Sequence, residues 1–390
     1  MSIRLALIRQ KYRPDGGAER FISRALSALH TQDLNLTIIA RSWEPQDGVD
    51  FIECNPPKLG RISREKGFAK AVHKAQKDYH FDLVQSHERL SCCDIFRAGD
   101  GVHRVWLKQR SRVMSPPASW WMQNSRYHRY VLAAEEAMFH SPRLKKVICN
   151  SKMVKQEIIE HFHLPPEKIE MIYNEVDLDY FSPELRLQYN TPQRRTLGIP
   201  EEVPVMIFVG SGFERKGLAS ALATLAKAET NTHLIIVGKD KRFLTYRKLA
   251  KNLGVENQVH FMGVQSDVRP FYGMADALLL PTLYDPFPNA VLEAMACGLA
   301  VVTSKKCGGA EIIEQGVHGY VTDALDVWSI SNLIKQNSQQ EWRTMGLAAR
   351  QKIESLELHK MGEKLASMYS DLIFSRTTAR KDRSPDQDSA

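Results

Sequence analysis

Short apolar runs alternate with helical periodicities along most of the chain. Ile3 to Arg9 reads as a buried strand, a loop carrying Pro14-Asp15-Gly16-Gly17 follows, and Ala18 to Leu29 repeats its apolar positions at helical spacing. Leu36 to Ala40, Phe81 to Ser86 and Lys146 to Asn150 are further strand-like runs, with helices predicted over Glu65 to Tyr79 and Lys152 to His161. A polar, proline-punctuated stretch from Pro183 to Pro204 reads as the junction between domains. The pattern then restarts. Strands are predicted at Val205 to Val209, His233 to Val237, Val259 to Met262, Ala277 to Pro281 and Ala300 to Thr303. Helices are predicted near Gly217 to Ala228, Phe243 to Leu253, Val268 to Met274 and Asn289 to Cys297. Helical patterns at Glu341 to Ser355 and His359 to Phe374 complete it.

Strands that alternate with helices imply parallel sheets. The expected fold is therefore α/β: two Rossmann-like, doubly wound parallel-sheet domains facing a central cleft. The first would span residues 1–182 and the second 183–357. The sequence leaves open whether the helix within 358–375 packs back on the first domain. Residues 376–390 are charged, lack apolar periodicity and read as a disordered tail.

Composition narrows the class. A chain of 390 residues with 43% hydrophobic and 25% charged residues has the make-up of a soluble globular protein. No apolar run approaches the roughly 20 residues of a membrane-spanning helix. The start does not read as a secretory signal, because Arg4 interrupts its short apolar patch. Six cysteines without a CxxC pair suggest neither a disulfide framework nor a zinc site, so no metal and a cytoplasmic location are expected.

The net charge of +8 favours an anionic partner. Six basic residues (Arg104, Lys108, Arg110, Arg112, Arg126, Arg129) and no acidic ones fall between Gly101 and Ala134, together with Trp106, Trp120 and Trp121. Pro116-Pro117 divides this segment, and in its second half Trp120, Tyr127, Val131 and Ala134 would share one helical face. Aromatic rings beside cations suit a membrane interface. Six cations at about 1 kcal/mol each could hold the protein reversibly on an anionic leaflet.

Neither GxGxxG nor GxxxxGK[ST] occurs, which argues against a simple dinucleotide enzyme or a P-loop NTPase. Gly16-Gly17 would let backbone approach a ligand at the head of a helix. Arg215 and Lys216, within Gly210-Ser211-Gly212-Phe213-Glu214-Arg215-Lys216-Gly217, follow a strand and offer a fork of donors beside a point charge, a pairing suited to a diphosphate. In Asp285 to Glu293 the first carboxylate would lie at the cleft mouth and the second on the first turns of a helix. The N–H groups of Asn289, Ala290 and Val291 would be free for phosphate or sugar oxygens, and Glu293 for a ribose. Asp100, after a strand, could hold a sugar hydroxyl; His103 follows three residues later.

These residues resemble the retaining, nucleotide-sugar-dependent glycosyltransferases of the GT-B fold, family GT4, in order and over nearly the whole chain to about residue 375. The carriers are the Gly16-Gly17 loop, Arg215-Lys216-Gly217, an E-x7-E-type element at Asp285 to Glu293, and Ala296-Cys297-Gly298-Leu299-Ala300-Val301-Val302. The first acidic position of the element is usually Glu, and Asp285 shortens that reach by one methylene. Within the family the chain resembles lipopolysaccharide core glucosyltransferases that act on the inner-core heptose. That likeness rests on Gly210 to Gly217, Val237 to Lys241, Leu249 to Val255 and Asp94 to Asp100.

The resemblance implies UDP-glucose as donor and the lipopolysaccharide inner core as acceptor. It assigns Asp100 to the acceptor side, Arg215 and Lys216 to the diphosphate, Glu293 to the ribose, and the backbone at Gly263 and Val264 to uracil. It implies a peripheral place on the cytoplasmic face of the inner membrane, with no cofactor beyond the donor. UDP-N-acetylglucosamine is the alternative donor. A sugar-nucleotide epimerase or a basic nucleic-acid-binding protein would be the competing readings, the latter without any recognised nucleic-acid motif.

Overall fold

The computed structural model describes residues 3–10, 34–44, 48–356 and 358–381. Gly16, Gly17 and the helix predicted over Ala18 to Leu29 lie outside them. The described part of the first domain contains β1 (Ile3–Ile8), β2 (Leu34–Ala40), β3 (Asp50–Glu53), α1 (Gly60–Asp78), β4 (Leu83–Ser86) and β5 (Ile95–Arg97). After these come α2 (His103–Ser111), α3 (Pro116–Gln123), α4 (Arg126–Phe139), β6 (Lys146–Cys149), α5 (Lys152–Phe162) and β7 (Ile169–Met171). Its strands form one parallel seven-stranded sheet in the order β3-β2-β1-β4-β5-β6-β7. β1 pairs with β2 from Ile3–Leu34 to Ile8–Ile39 and, on its other edge, with β4 from Leu5–Leu83.

The second domain begins with α6 (Leu185–Thr196) and β8 (Val205–Val209). It continues through α7 (Phe213–Lys216), α8 (Leu218–Ala228), β9 (His233–Val237), α9 (Phe243–Asn252), β10 (Val259–Gly263), α10 (Arg269–Met274) and β11 (Ala277–Leu280). Then follow α11 (Asn289–Ala296), β12 (Ala300–Ser304), β13 (Gly319–Thr322), α12 (Val327–Gln336) and α13 (Gln339–Ser355). Its parallel six-stranded sheet has the order β10-β9-β8-β11-β12-β13. In both sheets the winding reverses next to the first strand, between β1 and β4 and between β8 and β11. A crevice opens beyond the strand carboxyl ends at such a switch point, and ligands bind there. The expected α/β fold of two doubly wound sheets is the one observed.

The last helix, α14 (Met361–Lys381), crosses to the first domain. Its Leu365, Met368 and Tyr369 pack with Leu5, Leu7, Leu83 and Ile148 on one face of that sheet, and the Tyr369 hydroxyl donates to Gln85 Oε1 at 2.7 Å.

The polar 183–204 stretch, read as the junction between domains, lies in the chain between the last strand of the first sheet and the first strand of the second, and it holds α6, whose Arg194 is completely buried. That guanidinium donates to the carbonyls of Pro200, Glu201, Val203 and Met274 and pairs with buried Asp276 at 2.8 Å. Part of the polarity of this stretch therefore serves a buried network. Residues 376–381, assigned to the tail, continue α14, and 382–390 lie outside the described residues. Short β3, β5, β7 and β13 have no periodic signature long enough to announce them.

The basic segment forms three helices, so Trp120 on α3 and Tyr127 on α4 share no helical face. Trp106 packs against the first-domain core, whereas Trp120 and Trp121 are 59% and 71% exposed. Nor do all six cations face solvent freely. Arg110 pairs with Glu214 at 2.8 Å and Arg112 with Asp323 at 2.7 Å, both across the domain boundary.

Candidate functional site

The glycine-bounded Arg215-Lys216 loop begins where β8 ends. Gly212 and Gly217 bracket α7 at φ +77° and +80°. A Cβ on Gly217 would lie 1.8 Å from the Pro281 carbonyl oxygen, so only glycine lets the turn sit against the end of β11. The Arg215 carbonyl then accepts from the Thr282 hydroxyl and the Leu283 N–H, both at 2.8 Å. Two loops far apart in sequence are thereby locked at one switch point.

This lock turns Lys216 inward. Its ammonium lies 2.8 Å from Asp285 Oδ2, with both side chains less than a tenth exposed, and Arg215 approaches the same oxygen at 3.4 Å from a half-open position. Burial raises the Asp285 carboxyl, but Lys216 and then Arg215 outweigh it and hold it below its usual range. The Asp285 N–H donates to the Lys306 carbonyl and its own carbonyl accepts from Gly308. Two cations sharing one carboxylate retain positive charge for a dianionic ligand.

Glu293, on α11, is 5% exposed and accepts from the buried Tyr272 hydroxyl at 2.9 Å. The expected run of three free N–H donors needs correction: Val291 is fully buried and its N–H donates to Pro288, an i→i−3 bond within the first turn. Asn289 is oriented by the first domain, its Oδ1 accepting from Asn174 Nδ2 at 2.8 Å, and Asn174 in turn accepts from Arg97. Gly263 ends β10 and accepts from the Gly238 N–H, while Gly210 donates to Val237, so the three glycines line adjoining strand ends. Val264 beside them is 57% exposed.

Across the cleft, Asp100 is exposed at the rim of a cavity of about 310 Å³ that also touches Arg9, Glu88, Arg89, His103, Tyr127 and Tyr130. Desolvation by the protein packed around the cavity rim raises its carboxyl, yet Arg9, Arg89, Arg215 and Arg97 together bring it below its ordinary value. Arg215 belongs to the second domain, so the field at Asp100 comes from both. The His103 N–H donates to Glu135, and its ring lies 3.0 Å from His128 Nδ1. Burial, aided by Arg89 and His128, pushes His103 down to about 3, so it stays neutral at neutral pH. A carboxylate, guanidiniums and tyrosines around one cavity suit a hydroxyl-rich ligand. Tyr272, Asn174, Arg97 and Glu135 escaped the sequence reading because each meets its partner only through the fold.

Comparison with known proteins agrees with this geometry. The model for glycosyl transferases group 1 matches residues 190–353, and that for glycosyltransferase family 4 matches residues 15–180. The lipopolysaccharide glucosyltransferase WaaG of Escherichia coli K12 is 26% identical over 371 residues, covering 92% of this chain and 96% of that protein. N-acetyl-alpha-D-glucosaminyl L-malate synthase of Bacillus anthracis is 29% identical over 215 residues, 54% of each chain. The crystal structure of WaaG superposes with a TM-score of 0.81 at 23% identity, covering 93% of this chain and 99% of that one. Anabaena HepE in complex with UDP and glucose gives 0.68 at 20% identity, covering 95% and 100%. Two parallel-sheet domains, their paired switch points and family matches to both halves lead to one conclusion: the chain belongs to the family 4 glycosyltransferases of the GT-B fold.

Proposed function

We propose that the protein transfers glucose from UDP-glucose to a heptose hydroxyl of the lipopolysaccharide inner core, with retention at the anomeric carbon. The observation that carries this reading is the inward-turned Lys216, paired with buried Asp285 and flanked by Arg215 at the head of the cleft. Near-complete mutual coverage with WaaG supports the same substrate class.

In this reading the two cations stabilise charge on the departing UDP, the largest electrostatic demand of the reaction. Glu293 holds the ribose, and the backbone at Gly263 and Val264 faces the uracil. A retaining hydrolase would set two carboxyl groups about 5–5.5 Å apart, one of them as nucleophile. Here Asp285 is committed to two cations, which favours front-face displacement with the leaving diphosphate taking the acceptor proton. Asp100 orients the acceptor, and closure of the cleft keeps water from the donor.

The reading includes a place on the cytoplasmic face of the inner membrane. No helix among the described residues is long and apolar enough to cross a bilayer. The exposed Trp120 and Trp121, ring centroids 5.2 Å apart, would lie at the interface with exposed Lys108, Arg126 and Arg129 nearby in the chain.

The test is incubation with a panel of UDP-sugars and truncated heptose-bearing core, with product mass and linkage determined. Glucosyl-heptose of retained configuration is expected. N-acetylglucosamine transfer would overturn the donor. No product, with no UDP-induced rise in melting temperature and salt-sensitive RNA binding, would overturn the enzyme reading.

A further inference from the structure

Tyr284 precedes Asp285 in the second domain, yet its ring packs in the core of the first and is 1% exposed. Its hydroxyl donates to Glu157 Oε2 at 2.7 Å and accepts from the Val102 N–H at 2.8 Å. Glu157, also buried, pairs with Lys306 Nζ at 2.9 Å, and the Lys306 carbonyl accepts from the Asp285 N–H at 2.9 Å. The adjoining Gly101 has φ +69°, and a Cβ there would stand 2.2 Å from the phenol oxygen. The chain therefore lies flat on the tyrosine, one residue beyond Asp100. On the other side, Thr282 and Leu283 hold the Arg215 carbonyl. Thr282, Leu283 and Tyr284 thus connect the diphosphate loop and the acceptor-side loop directly ahead of the buried carboxylate of Asp285.

We infer that Tyr284 is a positioning residue that sets the Asp100 loop against the Lys216–Asp285 pair, so that the acceptor hydroxyl is presented at the reacting face of the donor. This rests on the transferase reading above and adds to it a residue that no cleft motif contains. The phenol has one proton and gives it to Glu157, leaving its lone pair for Val102, so each partner fixes the other's geometry. Without the hydroxyl the Val102 N–H is buried and unmade, and the 98–102 loop must move to satisfy it.

The test is Tyr284→Phe, which keeps the ring in the core. The ratio of transfer to heptose over acceptor-free hydrolysis of UDP-glucose is expected to fall about tenfold, the rate equivalent of one such hydrogen bond, with donor KM within about twofold. A merely structural role would lower both reactions together with the melting temperature, and that result would overturn the proposal. A second measurement needs no substrate. Amide hydrogen exchange on the ligand-free protein should quicken at Val102 and also at Asp285 and Gly308. Quickening at Val102 alone would overturn the coupling. If wild type transferred from no UDP-sugar, the functional reading would fail while the exchange result still decided the linkage.

Discussion

Lys216→Met tests the centre of the site because it removes a charge without removing volume. In the wild type the ammonium lies 2.8 Å from Asp285 in a buried setting. Breaking a buried pair from one side costs about 3–5 kcal/mol, and Arg215 at 3.4 Å from the same oxygen sets the expectation at about 3. For a domain of this size that is about 6–12 °C in the melting transition. The pH dependence fixes the cause. With its carboxyl held below the usual value, wild-type Asp285 contributes stability above the unfolded carboxyl value that is lost as pH falls through the folded one. In the variant burial dominates and raises the group, giving a penalty near neutrality that protonation removes. The gap in melting temperature should therefore be wide at about pH 8 and narrow towards about pH 5. Turnover should fall about 100- to 1000-fold, the cost of losing one preorganised charge partner. Calorimetry across pH, together with kcat and KM on the same samples, measures both. Unchanged melting at the higher pH, a gap that widens on acidification, or turnover within about threefold of wild type would refute the reasoning.

Glu293→Gln keeps an acceptor for Tyr272, so melting should barely change while UDP Kd, by titration calorimetry, rises about tenfold or more; near-normal UDP affinity removes the ribose assignment. Arg194→Met removes its bonds to four carbonyls and to buried Asp276, which keeps Arg186 at 2.8 Å and the Val205 N–H, and should cost about 3 kcal/mol in denaturant melts without altering UDP affinity in the folded fraction. Replacing Trp120 and Trp121 by Ser should abolish sedimentation with anionic vesicles at low salt while leaving melting unchanged, because both rings are exposed. Equal wild-type binding to neutral vesicles would count against the cations.

The architecture was legible because β-branched runs and helical periodicities are local signals. Strands such as Val205–Val209 and Ala277–Leu280 are buried on both faces and read as continuous apolar runs, as parallel sheets require. The Arg215-Lys216 motif was equally visible, since a glycine-bounded Arg-Lys after a strand is a short-range pattern. The buried network within the 183–204 stretch was not legible, because a buried arginine looks like any exposed one until its carbonyl partners are known. The tryptophans carried the same ambiguity: ring chemistry is identical in Trp106, which packs inward, and Trp121, which does not.

Alternation along the chain was enough to specify two wound sheets and to put glycines, cations and carboxylates at strand ends, since each of those features depends on neighbours a few residues away. Which carboxylate meets which cation is another matter. Asp285 finds Lys216, Tyr284 finds Val102 and Arg110 finds Glu214 only when two sheets and two domains have packed. Such contacts are fixed by where close-packed elements bring remote segments together, and a one-dimensional pattern of polarity carries no record of that distance.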